Sequence, residues 1–232
     1  MIRYLLLFLA TVLCWSCSTN ATNETPTTQE PEVVIPIKYL ALGDSYTVGH
    51  SVPYEESYPI QLQSRFQMDS IEVDTTIIIA TTGWTTADLS AGIDTTALQD
   101  TFDLVSLLIG VNNFFQGKPK DQYEIEFEAL LQRAIDFAGG KAENVFVLSI
   151  PDYAYTPFGN GNPSISQGID NFNASNKTIT DSYGISYFNI TPISREGLDK
   201  PELVDDDNLH PSGLQYGLWV DLFYEAVKLK ID

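Results

Sequence analysis

Cysteine and histidine are scarce in this chain of 232 residues. Its two cysteines, Cys14 and Cys17, both lie near the N-terminus, so the sequence from residue 18 onward holds no internal disulfide, cysteine nucleophile or cysteine metal site. The only histidines are His50 and His210. Two are too few for a histidine-rich metal site, and they leave few candidates for a general base near neutral pH. We therefore expect neither a metal nor a cofactor.

Positive charge is also in short supply. The 12 Lys and Arg residues face 31 Asp and Glu residues, which gives a formal net charge of −19. Such a surface repels phosphate backbones and anionic bilayers, so we expect no nucleic-acid partner and no binding along a membrane surface. The charge suits a substrate that is neutral or cationic near the reacting bond, although most of it is typical of a well-solvated surface.

The longest apolar run near the N-terminus is too short to span a membrane comfortably. It extends from about Leu5 to Leu13, behind Arg3, and predicts a signal peptide over residues 1–16. The segment around Cys17 resembles a bacterial lipoprotein signal, which implies export and lipid anchoring at Cys17; the alternative is an ordinary cleaved signal. Residues 17–36 are rich in Thr, Asn, Pro and Glu and predict a flexible tether.

The remaining residues, 37–232, predict one α/β domain. Short apolar runs, often β-branched, alternate with segments of helical spacing, which is typical of a parallel sheet covered by helices on both faces. We expect a three-layer α/β/α sandwich, flavodoxin-like, with a central parallel sheet of about five strands. The predicted strands are Ile37 to Leu42, Ile77 to Ala80, Leu104 to Ile109, Val145 to Ile150 and Ser186 to Ile190, and the clearest helices are Tyr58 to Met68, Tyr123 to Ala138, Ile169 to Tyr183 and Gly213 to Leu229.

Polar blocks follow the first three predicted strands, and a fourth precedes the last helix. In such a fold ligands bind at the carboxyl ends of the strands, so these blocks predict the site. They are Gly43-Asp44-Ser45-Tyr46-Thr47, Thr81-Thr82-Gly83-Trp84-Thr85-Thr86, Gly110-Val111-Asn112-Asn113 and Asp207-Asn208-Leu209-His210. This set, in this order, resembles the SGNH (GDSL-type) hydrolase family over nearly the whole body.

The resemblance implies a serine esterase without a cofactor. Ser45 is the implied nucleophile, His210 its base, and Asp207 the carboxylate that holds the base in the right tautomer. The implied oxyanion donors are the backbone N–H groups of Ser45 and Gly83 and the side-chain amide of Asn112. Acyl transfer to Ser45, followed by hydrolysis of the acyl-enzyme, is the mechanism that these residue types would serve.

The sequence departs from the family pattern in two places. Asn113 stands where the third block usually ends in Asp, and Tyr46 follows Ser45 where Leu is common. Because Thr47 replaces the final Gly of G-x-S-x-G, the motif is not the nucleophile elbow of the α/β-hydrolases.

Each block also has a plainer interpretation. Ser45 can be a turn residue, Gly83 a loop glycine, and His210 a surface histidine before a helix. The run Asp205 to Asp207 can be a solvated acidic stretch or a loose calcium site. His50 matches no block, and we interpret it as a loop residue near the site.

Aromatic residues predict the substrate-binding rim, and they are Tyr46, Trp84, Phe114, Phe115, Tyr153, Tyr155 and Phe158. Of these, we assign substrate binding to Tyr46, Trp84 and Phe114. A long loop over residues 151–168 is expected to shape the site. Candidate substrates are small-molecule or polysaccharide esters, such as carbohydrate O-acetyl esters or lysophospholipids. Two alternatives remain: a flavodoxin-like flavin-binding protein, and an inert surface binding protein on the same scaffold.

Overall fold

The chain forms a five-stranded parallel sheet in a computed structural model that describes residues 36–96, 98 and 101–231. The sheet order is β2-β1-β3-β4-β5, and every neighbouring pair of strands is parallel. The strands are β1 (Ile37–Gly43), β2 (Val73–Ala80), β3 (Leu104–Leu108), β4 (Val145–Leu148) and β5 (Ser186–Phe188). The predicted fold class is therefore confirmed.

Burial differs between the middle and the edges of the sheet. Strands β3 and β4 are buried throughout, and β1 is buried except for Lys38, as their apolar runs predict. The edge strand β2 is only partly buried, and it begins at Val73, four residues before the predicted start at Ile77. Residues 74–76 are polar because an edge strand keeps one side in water, so the continuous apolar run begins only at Ile77.

The helices form two groups that flank the sheet. Helix α2 packs against α8, whereas α5 packs against both α3 and α6. The helices are α1 (Ser45–Val48), α2 (Tyr58–Met68), α3 (Thr86–Thr96), α4 (Val111–Phe115), α5 (Lys120–Phe137), α6 (Pro163–Ser182), α7 (Thr191–Ser194) and α8 (Gly213–Lys228). All four predicted helices are present, and α3 is the longest of those the periodicity did not predict.

Helix α6 begins six residues before the predicted Ile169. Pro163 occupies its first turn, and the Asn162 side chain accepts a hydrogen bond from Ser164 N at 3.0 Å. These are ordinary helix-start signals, but Pro and Asn are equally typical of loops, which is why the sequence predicts a loop here. The expected loop over residues 151–168 is corrected to residues 151–162, which contain a short 3-10 turn, Tyr153–Tyr155.

The strand register places the first three polar blocks at the same edge of the sheet. Gly43, the last residue of β1, pairs with Ala80 of β2 and with Leu108 of β3. The segments that follow these three strands therefore leave the sheet side by side. This edge of the sheet holds the candidate site.

The predicted signal peptide and nearly all of the predicted tether, residues 1–35, lie outside the described residues. Within the described part of the chain, no helix is long and apolar enough to cross a membrane.

Candidate active site

Ser45 is the first residue of the short helix α1. Asp44 caps this helix, since its Oδ1 accepts a hydrogen bond from Tyr46 N at 3.1 Å, and Gly49 ends it in the left-handed conformation with φ 74°. The Ser45 residue is buried, with only 4% of its surface exposed. Its backbone N–H lies in the first helical turn, where no carbonyl of the helix can accept it, so it remains available to an anion.

Gly43 allows this turn to lie close against the sheet. A Cβ atom at this position would lie 2.0 Å from Thr47 Oγ1 and 2.4 Å from Leu108 O. No side chain fits there, because one of the obstructing atoms belongs to the backbone of β3. The glycine therefore fixes how closely Ser45 approaches the neighbouring strand.

Asp207 holds His210 through its side chain and its backbone. Oδ2 lies 2.6 Å from His210 Nδ1, and Oδ1 accepts hydrogen bonds from the backbone N–H groups of Leu209 and His210, both at 2.9 Å. Because an ionised carboxylate only accepts, Nδ1 must carry the proton. The other ring nitrogen, Nε2, is then the one with a free lone pair and can serve as a base.

The environment keeps this pair in the required charge states. Burial lowers the pKa of His210, partly offset by the hydrogen bond and the charge of Asp207, which favours the neutral imidazole. Burial acts to raise the pKa of Asp207, but the hydrogen bonds from His210 and Leu209 outweigh it and lower the pKa overall. The result is a neutral base beside an ionised carboxylate.

Asp44 behaves differently, since it is fully buried beneath the turn. Burial raises its pKa to about 7, although hydrogen bonds from backbone N–H groups, including those of Tyr46 and Gly110, act in the opposite direction. Its Oδ2 has no hydrogen-bond partner among the described residues. A carboxyl group with one unpartnered oxygen therefore lies next to Ser45, and its raised pKa favours the protonated form below about pH 7.

Gly83 and Asn112 line the same cavity as Ser45 and His210. Gly83 has φ 89°, which favours glycine, and a Cβ there would meet nothing within 4 Å. Its backbone N–H makes no hydrogen bond within the described residues. Asn112 Nδ2 donates to Trp84 O at 3.0 Å, which fixes the amide and leaves its second N–H free.

These residues converge on one cavity of about 140 Å3. Ser45, Gly83, Asn112 and His210 all contribute to its wall, while Asp207 lies behind the histidine ring. The structure thus brings together the nucleophile, the base and the oxyanion donors that the sequence pattern predicted. The remaining lining residues are Tyr46, Thr82, Val111, Phe115, Tyr153, Phe158 and Leu209.

The three aromatic residues assigned to substrate binding have different positions. Tyr46 lines the cavity, but its buried ring packs edge-on against His210, at 5.8 Å between centroids. Trp84 and Phe114 do not line it, because the Trp84 ring lies over Gly92 and the Phe114 ring packs on Gly168. Neither ring therefore contributes to the wall of this cavity.

Phe115 and Phe158 are the exposed aromatic residues at the rim of the cavity. They are 60% and 55% exposed and lie 6.4 Å apart between centroids, with Tyr153 against both. Both were among the rim aromatics that the sequence suggested, but composition alone could not separate them from Phe114. Adjacent helix residues point in different directions, so only the orientation of α4 decides between Phe114 and Phe115.

His50, for which the sequence predicts no role, lies beside His210. Its ring is 4.6 Å from the His210 ring between centroids, and its Nδ1 is 3.0 Å from Thr82 Oγ1. No sequence motif predicts this contact.

Comparison with known proteins identifies the family. The model of the GDSL-like lipase/acylhydrolase family matches residues 41–218, and the chain belongs to this family. It is accordingly a hydrolase that acts on ester bonds, as the resemblance implied, and the flavodoxin-like alternative is not favoured. Comparison with curated proteins found no match.

Solved structures show the same fold at low sequence identity. TesA is similar with a TM-score of 0.67 and 16% identity, covering 83% of this chain and 99% of that one. The psychrotrophic esterase EstA from Pseudoalteromonas sp. gives 0.63 and 20%, covering 83% and 97%. Axe2, an acetylxylan esterase from Geobacillus stearothermophilus, gives 0.63 and 19%, covering 84% and 94%. These similarities establish the SGNH hydrolase fold.

Proposed function

We propose that this protein is a serine esterase in which Ser45, His210 and Asp207 form the catalytic triad. The observation that carries the proposal is the shared cavity. Ser45 and His210 line it, and Asp207 holds Nδ1 of His210 from behind at 2.6 Å. A nucleophile, a base and a group that orients the base are the parts that acyl transfer requires.

The reaction proceeds in two stages. His210 Nε2 takes the proton of Ser45 Oγ as that oxygen bonds to the ester carbonyl carbon, and the carbonyl oxygen becomes an oxyanion. The N–H groups of Ser45, Gly83 and the Asn112 amide stabilise this charge. His210 then gives its proton to the departing alcohol, which leaves Ser45 acylated. In the second stage water attacks the acyl-enzyme while His210 takes a proton from it, and the oxyanion forms again. His210 then returns the proton to Ser45 Oγ as the acid is released.

The cavity size favours a small acyl group. A volume of about 140 Å3 is well below that of a typical site that encloses a whole ligand. The acyl part would then enter the cavity while the alcohol part stays at the rim, beside the exposed faces of Phe115 and Phe158. Rings of this kind stack on sugars, so we propose a carbohydrate O-acetyl ester as the substrate class. That Axe2 is an acetylxylan esterase supports the same choice.

The test combines a covalent probe with turnover. The full chain and its Ser45→Ala variant are assayed on p-nitrophenyl esters from acetate to palmitate and treated with an alkyl phosphonate, since EstA has been solved inhibited by monoethylphosphonate. We expect hydrolysis strongest for short acyl chains, one phosphonyl group per wild-type chain located at Ser45, and neither result in Ser45→Ala.

A matched control is Ser51→Ala, which removes an exposed hydroxyl just after the same turn. It should retain turnover and labelling. A folded wild-type protein without either activity would contradict the proposal and favour the inert binding protein, and hydrolysis retained in Ser45→Ala would remove Ser45 from the mechanism.

We further propose that the protein is exported and anchored through Cys17. The signal-like residues 1–16 and the tether-like residues 17–36 support this. Mass spectrometry of the N-terminus after expression in a bacterial host tests it: a lipid-modified Cys17 is expected, and an unmodified N-terminus beyond residue 17 would indicate secretion instead.

A further inference from the structure

The two histidines of the chain lie side by side. His50 follows α1 and His210 precedes α8, yet their rings are 4.6 Å apart between centroids. No other histidine exists in the sequence, so every imidazole of the protein is at this one place. The proposed mechanism uses only His210 and leaves the position of His50 unexplained.

The backbone of His50 is held firmly, and its side chain is not. His50 N donates to Ser45 O at 3.0 Å, directly after the left-handed Gly49. The side chain is exposed, and its one hydrogen bond joins Nδ1 to Thr82 Oγ1 at 3.0 Å. When Nδ1 carries the proton it donates to Thr82, and the lone pair is then on Nε2.

His210 also has its Nδ1 in a hydrogen bond and its Nε2 free. Asp207 accepts the Nδ1 proton, which leaves the Nε2 lone pair free. A carboxylate that holds one imidazole nitrogen while the other binds a metal is the usual support for histidine ligands in metal sites. When His50 is in that tautomer, both imidazoles have Nδ1 hydrogen-bonded to an oxygen and Nε2 available.

The distances allow one ion to bind both rings. Candidate ligand atoms of His50, Asp207 and His210 all lie within 4.8 Å of one another. Zinc–nitrogen bonds are about 2.0–2.1 Å, so two nitrogens on one ion are separated by no more than about 4.2 Å. The His50 side chain is exposed, so its ring has room to turn Nε2 towards Nε2 of His210.

We propose that His50 and His210 bind a divalent transition-metal ion, Zn²⁺ above all, through their Nε2 atoms, and that this ion reversibly inhibits the enzyme. Imidazole ligands select zinc and its neighbours over magnesium or calcium, and the net charge of −19 attracts cations. Since only two protein ligands are supplied, water completes the coordination and the affinity is moderate. The bound ion occupies the lone pair that would otherwise take the proton of Ser45.

Binding and inhibition are separate parts of this proposal. The binding depends only on the two imidazoles, whereas the inhibition rests on the proposed function, because it requires His210 to be the catalytic base. The experiment therefore measures both on the same samples.

The protein for the test is the full chain with Cys14→Ser and Cys17→Ser, which removes the two thiols that would also bind zinc. Zn²⁺ is titrated calorimetrically at pH 8, and p-nitrophenyl acetate hydrolysis is measured over the same concentrations. We expect one zinc ion per chain, inhibition with the same midpoint as binding, full recovery with EDTA, and no inhibition by Mg²⁺.

His50→Gln is the decisive variant, and its side chain is exposed, so folding should be retained. Loss of second-shell support alone weakens metal sites about 10- to 100-fold, and loss of a ligand should cost at least as much. We expect zinc binding and zinc inhibition both to weaken by about that factor, with metal-free turnover at pH 8 unchanged. Asp206→Asn, which removes an exposed carboxylate of the acidic run, should leave both unchanged and so exclude binding by the acidic run.

Proton NMR gives a second readout that needs no activity. With two histidines, the imidazole signals are assigned by comparison with His50→Gln, and zinc should shift both signals in the wild type. Equal zinc affinity in His50→Gln, or no saturable binding, would overturn the metal site. Zinc binding that depends on His50 in a protein without esterase activity would retain the site and reject the proposed catalysis.

Discussion

Asn113 and Thr86 form a reciprocal pair of hydrogen bonds between α4 and the start of α3. Asn113 Oδ1 accepts from Thr86 N at 3.0 Å, and Asn113 Nδ2 donates to Thr86 Oγ1 at 2.7 Å. Two neighbouring amides make parallel connections, since Asn112 Nδ2 donates to Trp84 O at 3.0 Å and Gln116 Nε2 to Gly83 O at 3.3 Å. The segments that carry Gly83 and Asn112, the proposed oxyanion donors, are therefore joined by three side-chain amides, two from α4 and one from the residue that follows it.

This relationship predicts the effect of changing Asn113, which is buried. Asn113→Ala leaves Thr86 N without its acceptor, and an unsatisfied buried donor costs about 1–3 kcal/mol of unfolding free energy. Displacement of the Gly83 segment should also lower kcat about 10- to 100-fold. Urea unfolding and p-nitrophenyl acetate kinetics measure the two effects.

Asn113→Asp is the matched comparison. It keeps the acceptor for Thr86 N but cannot donate to Thr86 Oγ1, whose own hydrogen goes to Glu126. We expect stability and kcat between those of the wild type and Asn113→Ala. Full activity in Asn113→Ala would show that the positions of Gly83 and Asn112 do not depend on the hydrogen bonds between Asn113 and Thr86.

The sequence predicted the parts of the site that are local to strand ends. Ser45, Gly83 and Asn112 each follow an apolar run, and parallel strands must bring such residues to one edge. The role of Asn113 was not predictable, because its partner Thr86 lies far away in the sequence and α3 has weak apolar periodicity. Contacts between distant loops depend on the packing of the whole sheet.

The dependence on packing between distant segments also explains why the sequence did not predict the positions of the aromatic residues. Composition suggested a ring-lined rim, and the rim exists, but Trp84 and Phe114 pack on glycines of α3 and α6 instead. The only local sequence signal for this packing is the pair Gly92 and Gly168, because each glycine leaves space for an aromatic ring on the surface of its helix. Only a known helix–helix arrangement shows which ring fills which gap.

The pH dependence of turnover should report on His210. The base works only when neutral, so activity rises with pH through the pKa of His210, which burial lowers. The acid limb of kcat/KM should therefore have its midpoint below about 6.5, the ordinary value for histidine. Since the charge of His50 also acts to lower this pKa, the limb in His50→Gln should move to higher pH when both are measured with EDTA. A midpoint above the ordinary value would contradict the assigned environment.

Asp44 should make folding stability fall as pH rises. Its pKa is raised from 3.8 to about 7 in the folded protein, so between these values the unfolded chain loses a proton that the native state retains. The stabilisation is complete below pH 4 and is lost as pH rises towards 7. Asp44→Asn removes this term, so the variant should gain on the wild type, by up to a few kcal/mol, across that window.

Asp88→Asn provides a control of opposite sign. The pKa of Asp88 is lowered by hydrogen bonds from the backbone and side chain of Thr85, so its stabilisation is lost as pH falls. Urea unfolding from pH 2 to pH 8 measures both variants against the wild type, because the Asp88 contribution changes only below about pH 4. Parallel curves for Asp44→Asn and the wild type would mean that Asp44 is ionised in the folded protein.

Two glycines should separate stability from catalysis. At Gly43 a Cβ would lie 2.4 Å from a backbone oxygen, so Gly43→Ala should prevent normal folding or strongly reduce the thermal midpoint. At Gly83 there is free space, and only the positive φ of 89° opposes a side chain, at about 1–2 kcal/mol. Gly83→Ala should therefore fold but lose kcat, because its N–H is displaced from the oxyanion. A Gly83→Ala variant with unchanged kcat would remove that N–H from the oxyanion hole.

The exposed rings of Phe115 and Phe158 should act on the alcohol part of the substrate rather than on the acyl part. If the small cavity takes the acetyl group and the rings stack on sugar, Phe115→Ala with Phe158→Ala should raise KM for an acetylated disaccharide about tenfold, since aromatic contacts contribute about 0.5–1.5 kcal/mol each. Ethyl acetate, whose alcohol is too small to reach both rings, should be hydrolysed with nearly unchanged kcat/KM. Ile125→Ala, at another exposed apolar residue, on α5, should leave both substrates unaffected. A selective loss on ethyl esters of longer acids would instead assign the rings to the acyl chain and remove the argument for a carbohydrate substrate.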